Sequence, residues 1–361
     1  MNIVFDGASF YYLPQYLPVA DELRRRGVAS RFLLHADPAD PLLPAARAQL
    51  AAAGHDCAIV GHGDAALAWY RDQAPDWIVF GNECRYLDRL PPSTRTALLY
   101  HGIGVKACYY DAPLARFTVR FSEGAFRTAE LQRLYPEGRF VDVGFAKLDP
   151  LLEGRRDVEA FDLRAAGLDP ARPTVLYAPT FYPSSIECLS RRWPAELADV
   201  NVLVKPHLLT WTSDKYAAQR RRLEAWRRLP NVHVAEPAAF SLLPFMAVAD
   251  VLVSEASSAI FEFAALDRPV VWCDFYRLRW SYRGPLRYRH ERRMDQTIHG
   301  FRDVGAHAAR ARDLPAVVRR ELEDPRGHAE GRARCTAQLI GRTDGRASAR
   351  VADYLLGASS R

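Results

Sequence analysis

Short apolar runs alternate along this chain with longer stretches in which apolar residues return every three or four positions. "NIVFDG" (residues 2–7) reads as a buried strand, and residues 14–26 read as a helix stopped by Gly27. "SRFLLHAD" (30–37), "DCAIVG" (56–61), "DWIVFG" (76–81), "TALLYHG" (96–102) and "FTVRFSEG" (117–124) continue the strand series, with a helix over residues 64–73. A second series begins with "TVLYAPT" (174–180) and "VNVLVKPH" (200–207), followed by a helix over 214–228 and "VHVAEP" (232–237). "ADVLVSEAS" (249–257), a helix over 258–266 and "PVVWCDF" (269–275) complete it. Strands that are apolar throughout, alternating with helices, predict parallel sheets covered on both faces.

Length turns one such sheet into two. A chain of 361 residues exceeds one ordinary core and fits two domains of roughly 150 to 200 residues each. Residues 150–172 are rich in charged and small residues, with "LDPARP" just before the next strand, so the crossing between domains falls near residues 148–170. The expected layout is one domain over 1–150, a second over 151–340, and a C-terminal helix within 341–361 that packs back on the first. Ligands of open α/β sheets sit at the carboxyl ends of the strands, which places the expected site in a cleft between the two domains.

Composition narrows the partners. Forty-nine Lys and Arg against 43 Asp and Glu leave a formal charge of +6, which suits anionic ligands such as nucleotides, phosphorylated polymers or lipid headgroups. The six cysteines are scattered, without a CxxC pair or histidines at zinc-ligand spacing, and read as reduced thiols of a cytoplasmic protein. The N-terminus lacks a basic leader followed by an apolar core, and no run of 18 apolar residues occurs, so neither a signal peptide nor a spanning helix is expected.

The polar residues just past the strand ends carry the candidate chemistry. His101 follows "LLY" and precedes Gly102, Gly104 and Lys106, where a strand ends and two glycines leave the chain unshielded. Thr180 ends a second strand, and Lys205 and His207 end a third, as charge and hydrogen-bond donors suited to a diphosphate. Ser254, Glu255, Ser257 and Ser258 lie where a fourth strand runs straight into a helix, with hydroxyls that can cap it and backbone N–H groups that can meet a phosphate. Glu262, one turn further on between Phe261 and Phe263, can accept hydrogen bonds from a ribose diol. Neither a P-loop nor GxGxxG is present, which argues against an ATPase or a dinucleotide enzyme of the usual kind.

Residues 276–295 stand apart, with seven arginines interleaved with Tyr and Trp. Such a segment can hold a phosphorylated acceptor or rest on an anionic membrane. Single-stranded nucleic acid would also fit, but only these arginines and the total charge speak for it, and nucleic acid is not the expected partner.

Taken in order, these stretches resemble the CDP-glycerol glycerophosphotransferase family of teichoic-acid and capsule synthesis. The family's "HGTPLK" is matched by "HGIGVK" (101–106), which keeps His101, Gly102 and Lys106, and its "VGHPRxD" by "VGFAKLD", which keeps Gly144 and Asp149. "YAPT" is intact at 177–180, and "VKPHP" is matched by Val204 to His207. "SDYSSxxFDFAxLxRP" is similar to "SEASSAIFEFAALDRP" (254–269), and "DGxAsxRV" to "DGRASARV" (344–351).

The resemblance implies a GT-B-like fold of two Rossmann-like domains and transfer of a polyol phosphate from a CDP-activated donor to a hydroxyl. His101 is then the general base, since imidazole has a large neutral fraction near pH 7. His207 is its catalytic counterpart on the leaving phosphate. Thr180, Lys205, His207, Ser254, Glu255, Ser257, Ser258 and Glu262 hold the donor, and Gly102, Lys106 and Arg283 the acceptor. No metal or other cofactor is expected, because a helix start and basic side chains supply positive charge. The acceptor is a saccharide, a lipid-linked chain or a polymer, met in the cytoplasm or at the inner face of the membrane. The alternative is a GT-B glycosyltransferase that uses a nucleotide sugar. A sugar-nucleotide epimerase would need paired acidic residues that do not stand out, and a non-enzymatic scaffold would not need polar groups at strand ends in both halves.

Overall fold

A computed structural model describes the chain except for Val105, residues 153–157, Ala256, Arg293 and residues 358–361, with Gln296 described in its backbone alone. It divides into two units. The first comprises Met1–Gly102, Tyr109–Arg155 and Gln338–Arg361, and the second Ile103–Cys108 and Arg156–Ala337.

The first unit holds strands β1 (Ile3–Gly7), β2 (Ser30–His35), β3 (Asp56–Val60), β4 (Trp77–Phe80), β5 (Arg95–Leu99), β6 (Val119–Ser122) and β7 (Phe140–Asp142). They form one sheet in the order β3-β2-β1-β4-β5-β6-β7, every neighbouring pair parallel. The second unit holds β8 (Thr174–Tyr177), β9 (Asn201–Val204), β10 (Val232–Val234), β11 (Val251–Ser254), β12 (Val270–Cys273) and β13 (Ala306–Ala308). Its order is β10-β9-β8-β11-β12-β13, again all parallel. Both sheets are thus doubly wound, with the strand order reversing between β1 and β4 and between β8 and β11.

Burial explains the apolar runs. β1, β8 and β11 are buried along their whole length, because helices cover both faces of each sheet. Val4, Leu33, Ile78 and Leu98 share a core with Tyr70 and Phe117 in the first unit, while Val175, Val202, Val253 and Val271 surround Trp193 and Trp226 in the second. Each large side chain removed from water contributes about 1.5–3 kcal/mol.

Two three-residue edge strands, β7 and β13, are too short to carry a pattern, and the helix Leu43–Ala52 is alanine-rich; none of the three is predicted from periodicity. The helix expected over 214–228 is a 3-10 turn, Asp214–Tyr216, leading into the helix Ala217–Trp226. Among the described residues no helix is long and apolar enough to cross a membrane.

The first unit is closed by the return of the chain. The helix Ala347–Leu355 lies against the helix Leu13–Arg25, and Arg26 Nη1 meets Asp353 Oδ1 at 2.5 Å. Buried Asp149 accepts from the backbone N–H groups of Ala347 (3.1 Å) and Ser348 (2.6 Å) and from the Ser348 hydroxyl (2.5 Å). It thereby satisfies helix-end donors that would otherwise lack partners. Gly124, at φ +75°, lies against the end of the helix Ala329–Leu339, where a Cβ would stand 2.3 Å from the Gln338 carbonyl oxygen. Gly144, at φ +83°, faces the Arg342 carbonyl in the same way at 3.2 Å. The family-like residues Gly144, Asp149 and "DGRASARV" are therefore stitches of this return.

Candidate active site in two strand-end clusters

In the first unit the strand order reverses beside Gly81, one residue past β4, and the residue that uses its carbonyl is His101. His101 Nδ1 lies 2.8 Å from the Gly81 carbonyl oxygen. A carbonyl only accepts, so Nδ1 carries the proton and the neutral ring keeps its lone pair on Nε2. The ring is stacked between Tyr12 (centroids 4.8 Å apart) and Tyr100 (4.7 Å), with Tyr11 edge-on at 5.0 Å. Tyr12 belongs to the turn after β1, so residues from β1, β4 and β5 together fix one imidazole. None of these holders is predicted from the sequence, because each is remote along the chain and ordinary in type.

Behind Tyr100 lies a buried charged cluster. Tyr109 stands edge-on to Tyr100 at 5.1 Å, and its hydroxyl donates to Glu123, the residue after β6. The guanidinium carbons of Arg120 and Arg127 lie 4.4 and 5.2 Å from the Tyr109 ring, and Arg120 is 5.8 Å from Tyr100. Arg120, on β6, is 1% exposed, and ring faces hold its charge by cation–π attraction. Burial pushes the Glu123 carboxyl up to about 7, against the Tyr109 hydrogen bond and the two arginines, which pull it down.

The second unit reverses its strand order between β8 and β11, and here Glu255 does the joining. Its carboxylate, 1% exposed, accepts from the Thr180 N–H at 2.9 Å and from both the N–H and the hydroxyl of Ser185. Burial nevertheless raises its carboxyl above the usual range, because these hydrogen bonds offset only part of the desolvation. Ser254 is fully buried and donates to the Ala178 carbonyl at 2.7 Å. Both residues were expected on the donor. In the structure the oxygens of both residues meet protein partners: Glu255 ties Thr180 and Ser185 to the end of β11, and Ser254 ties β11 to Ala178.

Ser257 caps the helix Ser258–Ala264 by accepting from the Ala259 N–H at 3.4 Å. Ser258 is half-buried beside it, and Glu262, four residues on and so on the same face, is 1% exposed. Ala256, between Glu255 and this cap, lies outside the described residues.

His207 follows β9 and caps the helix Leu208–Thr212: its Nδ1 accepts from the Leu209 N–H at 3.1 Å. Here the lone pair is on Nδ1, so the proton sits on Nε2, the reverse of His101. Lys205 Nζ reaches the Pro206 carbonyl at 3.5 Å. Phe181, next to Thr180, lies 4.7 Å from the His207 ring and 5.8 Å from Tyr216. Lys106 Nζ stands 5.0 Å from the same Phe181 ring. Lys106 was expected with Gly102 on the acceptor. In the structure Ile103–Cys108, and Lys106 with it, belongs to the second unit, and Gly102 to the first.

Compared with families of known proteins, residues 121–357 match the model of the CDP-Glycerol:Poly(glycerophosphate) glycerophosphotransferase family, well over half of the chain. The chain belongs to that family. As a glycerophosphotransferase of this kind, it moves a glycerol-phosphate-like unit from a CDP-activated donor to an acceptor in polymer synthesis. The matched range holds every expected donor residue, while His101, Gly102 and Lys106 precede it. Comparison with curated proteins finds no match.

Among solved structures, the wall teichoic acid polymerase TagF is similar to this glycerophosphotransferase at TM-score 0.67 and 15% identity, with 99% of this chain and 88% of that one covered. A UDP-N-acetylglucosamine 2-epimerase follows at TM-score 0.62 and 14% identity, covering 100% and 97%. S. aureus MnaA with UDP gives TM-score 0.62 and 11% identity, covering 99% and 97%. These likenesses show the fold, two Rossmann-like sheets of the GT-B kind. Among the described residues no group of three His, Cys, Asp or Glu side chains is placed to hold a metal ion.

Proposed function

We propose that this glycerophosphotransferase takes CDP-glycerol, or a closely related CDP-polyol, and extends a teichoic-acid-like phosphodiester polymer without needing a metal. The observation that supports this reading is the opposite partner of Nδ1 in its two strand-end histidines. His101 Nδ1 faces a carbonyl oxygen and His207 Nδ1 an amide N–H, so in the neutral rings Nε2 is the basic nitrogen of the first and the N–H of the second.

In the reaction, His101 Nε2 takes the proton of the acceptor hydroxyl as its oxygen attacks the phosphorus that bears the glycerol. That phosphorus–oxygen bond forms while the bond to the cytidine monophosphate breaks. His207 Nε2–H and the Lys205 ammonium donate to the diphosphate and stabilise the charge that develops on the departing phosphate. Thr180, Ser257 and Ser258 seat the donor, with Glu262 on the ribose hydroxyls. Gly102 and Arg283 serve the acceptor, and Lys106 adds positive charge beside Phe181. A peripheral position on the cytoplasmic face of the membrane suits a lipid-linked acceptor and belongs to the same proposal.

The test is calorimetry of the full chain with CDP-glycerol, CDP-ribitol, UDP-sugars and GDP-sugars, with and without Mg²⁺. Binding of one CDP-polyol, unchanged by Mg²⁺, is expected. Preference for a UDP- or GDP-sugar would overturn the donor assignment and make the enzyme a glycosyltransferase. Binding that appears with Mg²⁺ alone would overturn its metal independence.

A further inference from the structure

Residues 276–295 carry seven arginines, no lysine and two carboxylates. The segment is made of single turns, Trp280–Tyr282, Gly284–Leu286 and Tyr288–Glu291, none long enough to bury a face of its own. Both of its ends are nevertheless tied to the donor cluster. At the first end, Arg279 lies 4.4 Å from the Tyr182 ring and donates from Nη2 to the Tyr216 hydroxyl at 3.0 Å. Its backbone N–H donates to the Tyr182 hydroxyl at 2.9 Å. Tyr216 is the ring that touches Phe181. At the other end, Met294 forms an antiparallel bridge with Lys106, whose ammonium faces the same Phe181. A strap fastened at both ends to residues around Phe181 also sets Tyr282, in its middle, 5.9 Å from Tyr182.

That middle is left strongly positive. Arg283, Arg287, Arg289 and Arg292 are exposed. Arg287 meets Glu291 at 3.3 Å, and Asp295 is turned toward Thr297, accepting from its N–H at 3.0 Å and its hydroxyl at 2.6 Å. Arg289 and Arg292 rest on Tyr288 at 5.9 and 5.5 Å. Among the described residues, four exposed guanidinium groups thus lie within ten positions of one another. Like charges held together on a tethered strap repel one another unless an anion lies among them.

We propose that this strap binds the phosphodiester backbone of the acceptor polymer, one to a few repeats away from the reacting hydroxyl. The inference rests on the transferase reading and adds the part of the chain that meets the polymer. Guanidinium groups suit it, because each can grip two phosphate oxygens at once. A polymer fits better than a bilayer here. A helix that lies in a membrane surface inserts a continuous apolar face, whereas these turns expose Trp280 and Tyr288 singly, which leaves charge alone to hold a bilayer.

The test uses oligo(glycerol phosphate) of two, four and eight repeats, titrated into the wild-type chain and into R283Q/R287Q/R289Q, with and without CDP-glycerol. Wild-type affinity is expected to rise with length and to fall as salt is added, because each neutralised phosphate releases counter-ions. The triple variant should bind the longest oligomer about tenfold more weakly, as expected of a few exposed ion pairs, and lose most of the length and salt dependence while retaining its CDP-glycerol affinity. Equal affinity of both proteins for all lengths overturns the proposal. So does a variant that keeps the oligomer but releases vesicles containing anionic lipid, which would make the strap a membrane contact. Failure of the wild type to bind any CDP-polyol is a separate result. It would sink the donor assignment, while the titration without donor still tests the strap.

Discussion

The two units of this enzyme wind their sheets alike and end their strands differently. Each sets one histidine beyond a strand end near the point where strand order reverses. Each also buries a glutamate just past a strand end, Glu123 after β6 and Glu255 after β11, and burial raises both carboxyls. Yet His101 gives its Nδ1 proton to a carbonyl, while His207 uses Nδ1 to accept from an amide. Glu123 is held by a tyrosine and two arginines, and Glu255 by serine and backbone N–H groups. One topology thus yields a ring that can take a proton and a ring that can offer one, and a single backbone group chooses between them. The lesson is that a histidine at a strand end says little until the partner of its inner nitrogen is known.

Paired substitution of the histidines would break this comparison most sharply. His101→Ala is expected to lower kcat by roughly 10²-fold or more with donor affinity unchanged, since general base catalysis contributes about that much. His207→Ala should lower kcat and weaken the donor together. Steady-state kinetics with calorimetry checks both, and equal effects of the two on donor Kd would erase the distinction.

The glutamates give the next largest effect. Glu255→Ala strands the Thr180 and Ser185 N–H groups, at about 1–3 kcal/mol for each buried donor left unsatisfied. A lower melting temperature with weakened donor binding is expected; Glu255→Gln, which keeps an acceptor oxygen, should recover much of both.

The smallest effect separates Glu123 by its pH dependence. Its carboxyl is raised to about 7 in the folded chain, so the folded state holds this proton more tightly than the unfolded one. Its contribution to stability is therefore complete below the ordinary glutamate range and is lost as pH rises toward 7. Melting followed between pH 4.5 and 7.5 should show a steeper fall for wild type than for Glu123→Gln. Parallel curves would mean that Glu123 does not titrate there.

The strand ends that carry His101, Thr180, Lys205, His207 and Ser254 were legible because an apolar run followed by small or polar residues marks where a buried strand meets solvent. The pattern also located Glu255, but not its part in joining two loops, since its partners lie 70 and 75 positions away. Tyr12, Gly81 and Arg120 were hidden for the same reason: long-range stacking and a carbonyl acceptor leave no local mark. Lys106 was read from "HGIGVK" as an acceptor residue beside Gly102; what the motif does not mark is that its two glycines let the chain pass to the second unit within a few residues. Asp149 and "DGRASARV", which look like site motifs, turn out to hold the chain to itself.

That last stitch has a consequence for the order in which the molecule is made. The strands of the first unit precede those of the second along the chain, but its sheet lacks the helix Ala347–Leu355, and Asp149 lacks its partners, until residues 338–357 have emerged. The second unit, started later, has its whole sequence in hand by residue 337. Domains tend to fold as units as they leave the ribosome, so here the unit that starts first would finish last, waiting on a closing segment while its neighbour is already formed.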